Sequence, residues 1–96
     1  MLKTELLEII ASGENSGIEF KRDDIRPEQL AIEVVAMANF QGGKVLLGVE
    51  DDGTISGIQR ADLEEWVMNV FQSRLHPMIL PFYEIVRLDD EKAVAV

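Results

Sequence analysis

Residues Ala36–Gly57 run AMANFQGGKVLLGVEDDGTISG, and this stretch decides the fold. Ala36, Met37 and Ala38 are small or apolar, as suits the end of a helix packed on a sheet. Asn39 stands where helices often stop, and Gly42-Gly43 offers the positive φ that a sharp reversal needs. Lys44-Val45-Leu46-Leu47-Gly48-Val49 is a short apolar run, the pattern of a strand covered on both faces. Asp51-Asp52-Gly53-Thr54 is a turn signal, and Ile55-Ser56-Gly57-Ile58 is expected to return as the second strand of a hairpin.

Upstream, Leu2, Leu6, Ile9 and Ile10 form a helical stripe through Leu2–Ser12, with Gly13 placed to end it in a left-handed conformation. After the loop Glu14–Gly17, Ile18-Glu19-Phe20-Lys21 alternates as a strand does, Ile18 and Phe20 sharing one face. Arg22–Arg26 is a charged connection. Pro27 opens a second helix, whose stripe Leu30, Val34, Met37, Ala38 is widened by Ala31, Ile32 and Val35, so that most of it is expected to be buried. Downstream, Asp62–Phe71 is a third helix with Leu63, Trp66, Val67, Val70 and Phe71 facing inward and Asp62, Glu64 and Glu65 at its positive end. Pro77 stops it. Ile79–Leu88 after Pro81 and Lys92–Val96 are strands around a turn at Asp89-Asp90. The order α-β-α-β-β-α-β-β predicts an α+β fold, a mixed sheet with about three helices packed on it.

Two separated segments, Glu14-Asn15-Ser16-Gly17-Ile18-Glu19-Phe20-Lys21 and Ala38-Asn39-Phe40-Gln41-Gly42-Gly43, followed by Gly48-Val49-Glu50-Asp51-Asp52-Gly53 and Gly57, carry a resemblance. In this order they resemble the AlbA-type domain of the Schlafen family, which also occurs in bacterial proteins described as DNA-binding proteins or transcriptional regulators. The resemblance covers nearly the whole chain. It implies one AlbA-like domain over residues 1–96. In the resembled domain a further strand and a glycine turn follow, so the chain is expected to be cut from a longer protein. Homodimerisation is a further expectation, since related domains often pair.

Composition sets bounds of its own. At 96 residues the chain has room for one modest core. The absence of cysteine removes disulfides, thiolate catalysis and cysteine-zinc sites. No apolar run approaches the ~20 residues of a membrane span, and the acidic start is unlike a signal peptide; a cytoplasmic location is expected. The net charge of −9 opposes nucleic-acid binding unless the basic residues gather on one face. Lys21, Arg22, Arg26 and Lys44 are the candidates for that face, with Asn39 and Gln41 as added hydrogen-bonding groups.

Three function classes follow. The first is a nucleic-acid-binding domain, DNA before RNA, in a regulatory protein, with no cofactor. The second is an enzyme. In Schlafen nucleases an acidic triad is associated with metal-dependent RNA cleavage, and the resemblance puts it at Glu14, Glu19 and Asp51, with Asp52 as the alternative third member. Three converging carboxylates suit Mg²⁺ or Mn²⁺. The competing reading leaves Glu14 in a solvated loop, Glu19 paired with Lys21 or Arg22, and Asp51 in a turn. The third is a protein–protein or oligomerisation module, suggested by the acidity and by free strand edges. Glu19-Phe20-Lys21 has a restriction-nuclease-like Glu-x-Lys spacing, but the match is three residues long and an ordinary ion pair is the favoured reading. Gly42-Gly43-Lys44 lacks the spacing of a Walker loop and reads as a structural turn. His76 has no metal-binding partner, and Trp66 and Phe71 are expected in the core.

Overall fold

The computed structural model describes residues 1–15, 17–40, 42–74, 83–88 and 93–95 of the chain. Helices α1 (Lys3–Ser12), α2 (Pro27–Phe40) and α3 (Leu63–Arg74) accompany strands β1 (Ile18–Lys21), β2 (Lys44–Leu47), β3 (Ile85–Arg87) and β4 (Ala93–Ala95). The fold is α+β. The sheet runs in the order β1-β2-β4-β3, with β1 and β2 parallel and the other neighbours antiparallel. The expected turn at Asp89-Asp90, the stop at Pro77, the start of the late strand at Ile79 and His76 lie outside the described residues.

Alternation along the strands divides the interior into two cores, one on each face of the sheet. Phe20, Leu46, Val86 and Val94 point to α1, where they enclose Leu6 together with Val49. Leu47 points the other way, into a cluster with Leu30 of α2 and Leu63, Val67, Val70 and Phe71 of α3. Strand β2 is therefore covered on both faces, as its uninterrupted apolar run predicts.

Several expectations change in detail. The second hairpin strand is reduced to one antiparallel bridge, Val49 to Ile55. The turn before it is closed by the Glu50 N–H on the Thr54 carbonyl and the Gly53 N–H on the Glu50 carbonyl, each 2.8 Å. The chain then doubles back at once: Ser56 and Gly57 both donate to the Gly48 carbonyl at 2.9 Å, which ends any continuing ladder. Leu2 precedes α1 and is 67% exposed, so the stripe of that helix begins at Leu6. Gly13 has a positive φ of 83° but a ψ of 179°, an extended exit rather than a left-handed helical one. Helix α2 runs past Asn39 to Phe40, and its closing bond is the Gly42 N–H to the Met37 carbonyl, 2.7 Å. Its outer face is less buried than its composition predicts: Ile32 is 66% exposed, because the sheet and α3 cover only the side that carries Leu30, Val34 and Met37.

The β1–β2 pairing starts where two glycines meet. The Lys44 N–H donates to the Gly17 carbonyl at 2.8 Å. A Cβ on Gly43 would lie 2.6 Å from that same carbonyl oxygen, a backbone atom, and the Cβ itself is fixed to the Gly43 backbone, so neither can swing aside. Gly43 is there to let two chains touch. Gly43→Ala is therefore expected to destabilise the domain by about 2 kcal/mol or more, lowering Tm by roughly 10 °C in a chain of this size. Thermal unfolding followed by circular dichroism checks it.

Candidate functional site

The register of β1 on β2 pairs Ile18 with Lys44 and Lys21 with Leu47. Because the strands are parallel, their carboxyl ends lie together, the place where open sheets commonly present ligand-binding groups. Lys21 ends β1 there and Arg22 follows it. Arg26 stands just before α2, which runs back along the sheet, and its carbonyl accepts from Gln29 and Leu30 at 3.0 and 3.1 Å. Residues Glu50–Thr54, after β2, complete this end. Lys44 lies at the opposite end of the strand pair, three residues or about 10 Å away. Asn39, in the last turn of α2, belongs to that far end as well. Of the six nucleic-acid-binding candidates, Gln41 lies outside the described residues, and the other five form two groups: Lys21, Arg22 and Arg26 at one end, Asn39 and Lys44 at the other.

Two cations of the first group, Lys21 and Arg22, are held by carboxylates. Lys21 Nζ lies 3.5 Å from Glu19 and 3.8 Å from Glu33 of α2. Arg22 lies 3.4 Å from Asp24 and 3.8 Å from Glu50. The Glu-x-Lys spacing thus makes an ion pair on the face of β1 that looks to α2. Partial burial, then the charges of Glu33 and Glu14, push the Glu19 carboxyl above its ordinary value, against the pull of Lys21.

Glu14, Glu19 and Asp51 are differently placed. Glu14 folds back on β1, and its Oε2 accepts the Phe20 N–H at 2.9 Å. It is close enough to repel Glu19 electrostatically. Asp51 is exposed in the turn after β2. Its neighbour Asp52 shapes that turn: hydrogen bonds from the Thr54 hydroxyl and from the Thr54 N–H (2.9 Å) hold the Asp52 carboxyl below its ordinary value. Oxygen donors of the right hardness for Mg²⁺ or Mn²⁺ are present, but among the described residues no three His, Cys, Asp or Glu side chains gather where one metal ion could be held. No catalytic step through a metal is derived from this arrangement.

Gly42-Gly43-Lys44 follows the carboxyl end of α2, where the helix dipole disfavours an anion. It borders a cleft of about 500 Å³ between α2, α3 and β2 whose walls include Leu30, Val34, Met37, Val67 and Phe71. Tyr83 also lines it; burial, and secondarily the charge of Glu64, push its phenol up. Phe71 is core, as expected. Trp66 packs at the edge of that core beneath the Arg60 guanidinium, 4.1 Å from the ring centre.

One residue escaped the sequence reading. Asp23 is 4% exposed, and its Oδ2 accepts the backbone N–H groups of both Gln59 and Arg60, the second at 2.7 Å. It ties the connection after β1 to the segment that leads into α3, so the position of Arg22 depends on it. In the sequence it is one acid among several in a charged run, and no spacing distinguishes it.

The raised Glu19 carboxyl gives a signed prediction. A carboxyl whose folded-state pKa lies above its unfolded value penalises folding where it is ionised, above the folded pKa. That penalty vanishes below the unfolded value. Glu19→Gln is thus expected to raise Tm at pH 7, with the gain narrowing as pH falls into the carboxylate range. Melting curves of both proteins against pH check it.

Among the described residues no helix is long and apolar enough to cross a membrane. The comparison with curated proteins found no match, and neither did the comparison with solved structures. The family model described as Schlafen, AlbA_2 matches residues 14–96, which takes in everything from the loop before β1 to the end of the sheet. On that match, with the glycine contact and the paired strands it spans, the chain belongs to the Schlafen AlbA_2 family.

Proposed function

We propose that this chain is a nucleic-acid-binding domain, with duplex DNA as its first ligand, serving a bacterial protein of the transcriptional-regulator type. The observation that carries the proposal is the family match over residues 14–96, since the family points to a nucleic-acid-related function. The geometry supports a location. Lys21, Arg22 and Arg26 stand at the carboxyl end of the parallel pair, where Arg22 is 58% exposed by its side chain and reaches toward the turn after β2. The carboxylate partners of Lys21 and Arg22 do not forbid phosphate. Exposed ion pairs are worth about 0–1 kcal/mol, so at Arg22 a phosphate can exchange with Asp24 or Glu50 at little cost, while the pairs of Lys21 are half-buried. Such exchange makes binding weak, strongly salt-dependent and insensitive to base sequence.

The test is a fluorescence-anisotropy titration against duplex DNA and structured RNA at two salt concentrations. Arg22→Ala and Arg26→Ala should each weaken binding and reduce the salt slope by about 1, while Lys44→Ala, at the far end, should have a smaller effect. Absence of binding at low salt by the folded wild type contradicts the proposal.

A metal-dependent endoribonuclease using Glu14, Glu19 and Asp51 is the second reading. One observation favours it: after burial and the charge of Glu33, the charge of Glu14 helps to raise the Glu19 carboxyl, a repulsion that a divalent cation relieves. RNA cleavage that needs Mn²⁺ or Mg²⁺ and disappears in Glu19→Ala supports this reading; wild-type protein that leaves RNA intact with either ion counts against it.

A further inference from the structure

Strand β1 is one edge of the described sheet. In a parallel pair, one residue gives its N–H and C=O to the neighbouring strand and the next turns both outward. The Gly17 and Lys21 carbonyls accept from Lys44 and Gly48, each at 2.8 Å, so Gly17, Glu19 and Lys21 serve β2. Ile18 and Phe20 therefore turn their backbone groups to the open side. Such an outward row is a template on which another strand can add.

Here the row is covered by the chain's own preceding turn. The Asn15 N–H donates to the Ile18 carbonyl at 3.0 Å, and the Ile18 N–H donates to the Asn15 carbonyl at 3.2 Å. The Gly17 N–H donates to Asn15 Oδ1 at 2.7 Å and shapes the reversal. The Phe20 N–H, beyond the reach of this turn's backbone, is taken by the Glu14 carboxylate at 2.9 Å. Of the four outward groups on Ile18 and Phe20, only the Phe20 carbonyl is outside these bonds. The carboxylate acts as a substitute for the next residue of a neighbouring strand.

We propose that the Glu14–Asn15 segment is a lock on the β1 edge, and that a second copy of this chain occupies that edge when the lock is opened. Charge complementarity selects the second copy. Antiparallel pairing of β1 with itself, centred on Phe20 facing Phe20, sets Glu19 opposite Lys21 of the second copy, twice by symmetry. Phe20 forms the hydrogen-bonded pair, so the Glu19–Lys21 positions form the closer, non-hydrogen-bonded pairs, where opposite charges interact well. A register centred on Glu19 sets like charges face to face and is disfavoured. The lock gives Glu14 a role that requires no metal and no nucleic acid.

Sedimentation velocity across a wide range of concentration, with circular dichroism as the check on folding, tests this. Glu14→Ala leaves the Phe20 N–H without a partner and is expected to double the sedimenting mass relative to wild type. Glu14→Gln loses the same charge but keeps an oxygen acceptor, and is expected to match wild type. A folded Glu14→Ala protein of wild-type mass overturns the proposal. Doubling in both variants also overturns it, since charge loss rather than the hydrogen bond would then drive association. Should Glu14→Ala fail to fold, Asn15→Pro decides the matter, because it removes both the N–H that holds the turn to Ile18 and the side-chain oxygen that accepts from Gly17. A doubled mass in that variant supports the lock, and an unchanged mass contradicts it.

Discussion

The contact on which the structure depends is the meeting of two backbones at Gly17 and Gly43. The Lys44 N–H bonds to the Gly17 carbonyl, and no side chain fits between them. This contact fixes the register of β1 on β2, and with period-two alternation the register decides which side chain belongs to which core. A slip of one residue would turn Phe20 and Leu46 away from α1 and bring Glu19 into their place. The same register sets Lys21 and Arg22 beside the turn after β2, and it sends Lys44 to the other end.

What surrounds those cations is mostly acid. The sequence carries 18 acidic residues against 9 lysines and arginines, and the fold distributes them so that Lys21 and Arg22 each lie between two carboxylates. The pairs of Arg22 are exposed and contribute little to stability, while those of Lys21 are half-buried. Under the proposed function their effect is on recognition: a phosphate reaches Lys21 or Arg22 by exchange with a carboxylate. Asp23 is a different kind of acid. Buried and accepting two backbone N–H groups, it holds the connection after β1 in place and takes no part in that exchange.

Much of this was legible in the sequence. The helical stripes of α1 and α3 and the alternation of Ile18 and Phe20 follow from period, and the doubly covered β2 from its uninterrupted apolar run. The Gly-Gly corner was legible as a turn, but not as a close approach to Gly17, because the partner lies outside the local pattern. The exposure of Ile32 could not be foreseen, since composition gives a helix's apolarity but not how much of its circumference neighbours cover. The second hairpin strand failed to extend because Gly48 draws both Ser56 and Gly57 onto one carbonyl. At the site, Glu19 with Lys21 could be anticipated from their i, i+2 spacing. Glu33, Glu50 and Asp23 could not, because the contacts they make depend on how α2 and the late turn fold against β1.

The central claim is that the carboxyl end of the β1–β2 pair is the face that meets nucleic acid. Backbone amide chemical-shift mapping during addition of a short DNA duplex tests it most directly. The account predicts that the largest changes fall at Lys21–Arg26 and at the turn Glu50–Thr54, fading as salt is raised. Changes centred on Gly42–Val45, or none at low salt, would contradict it.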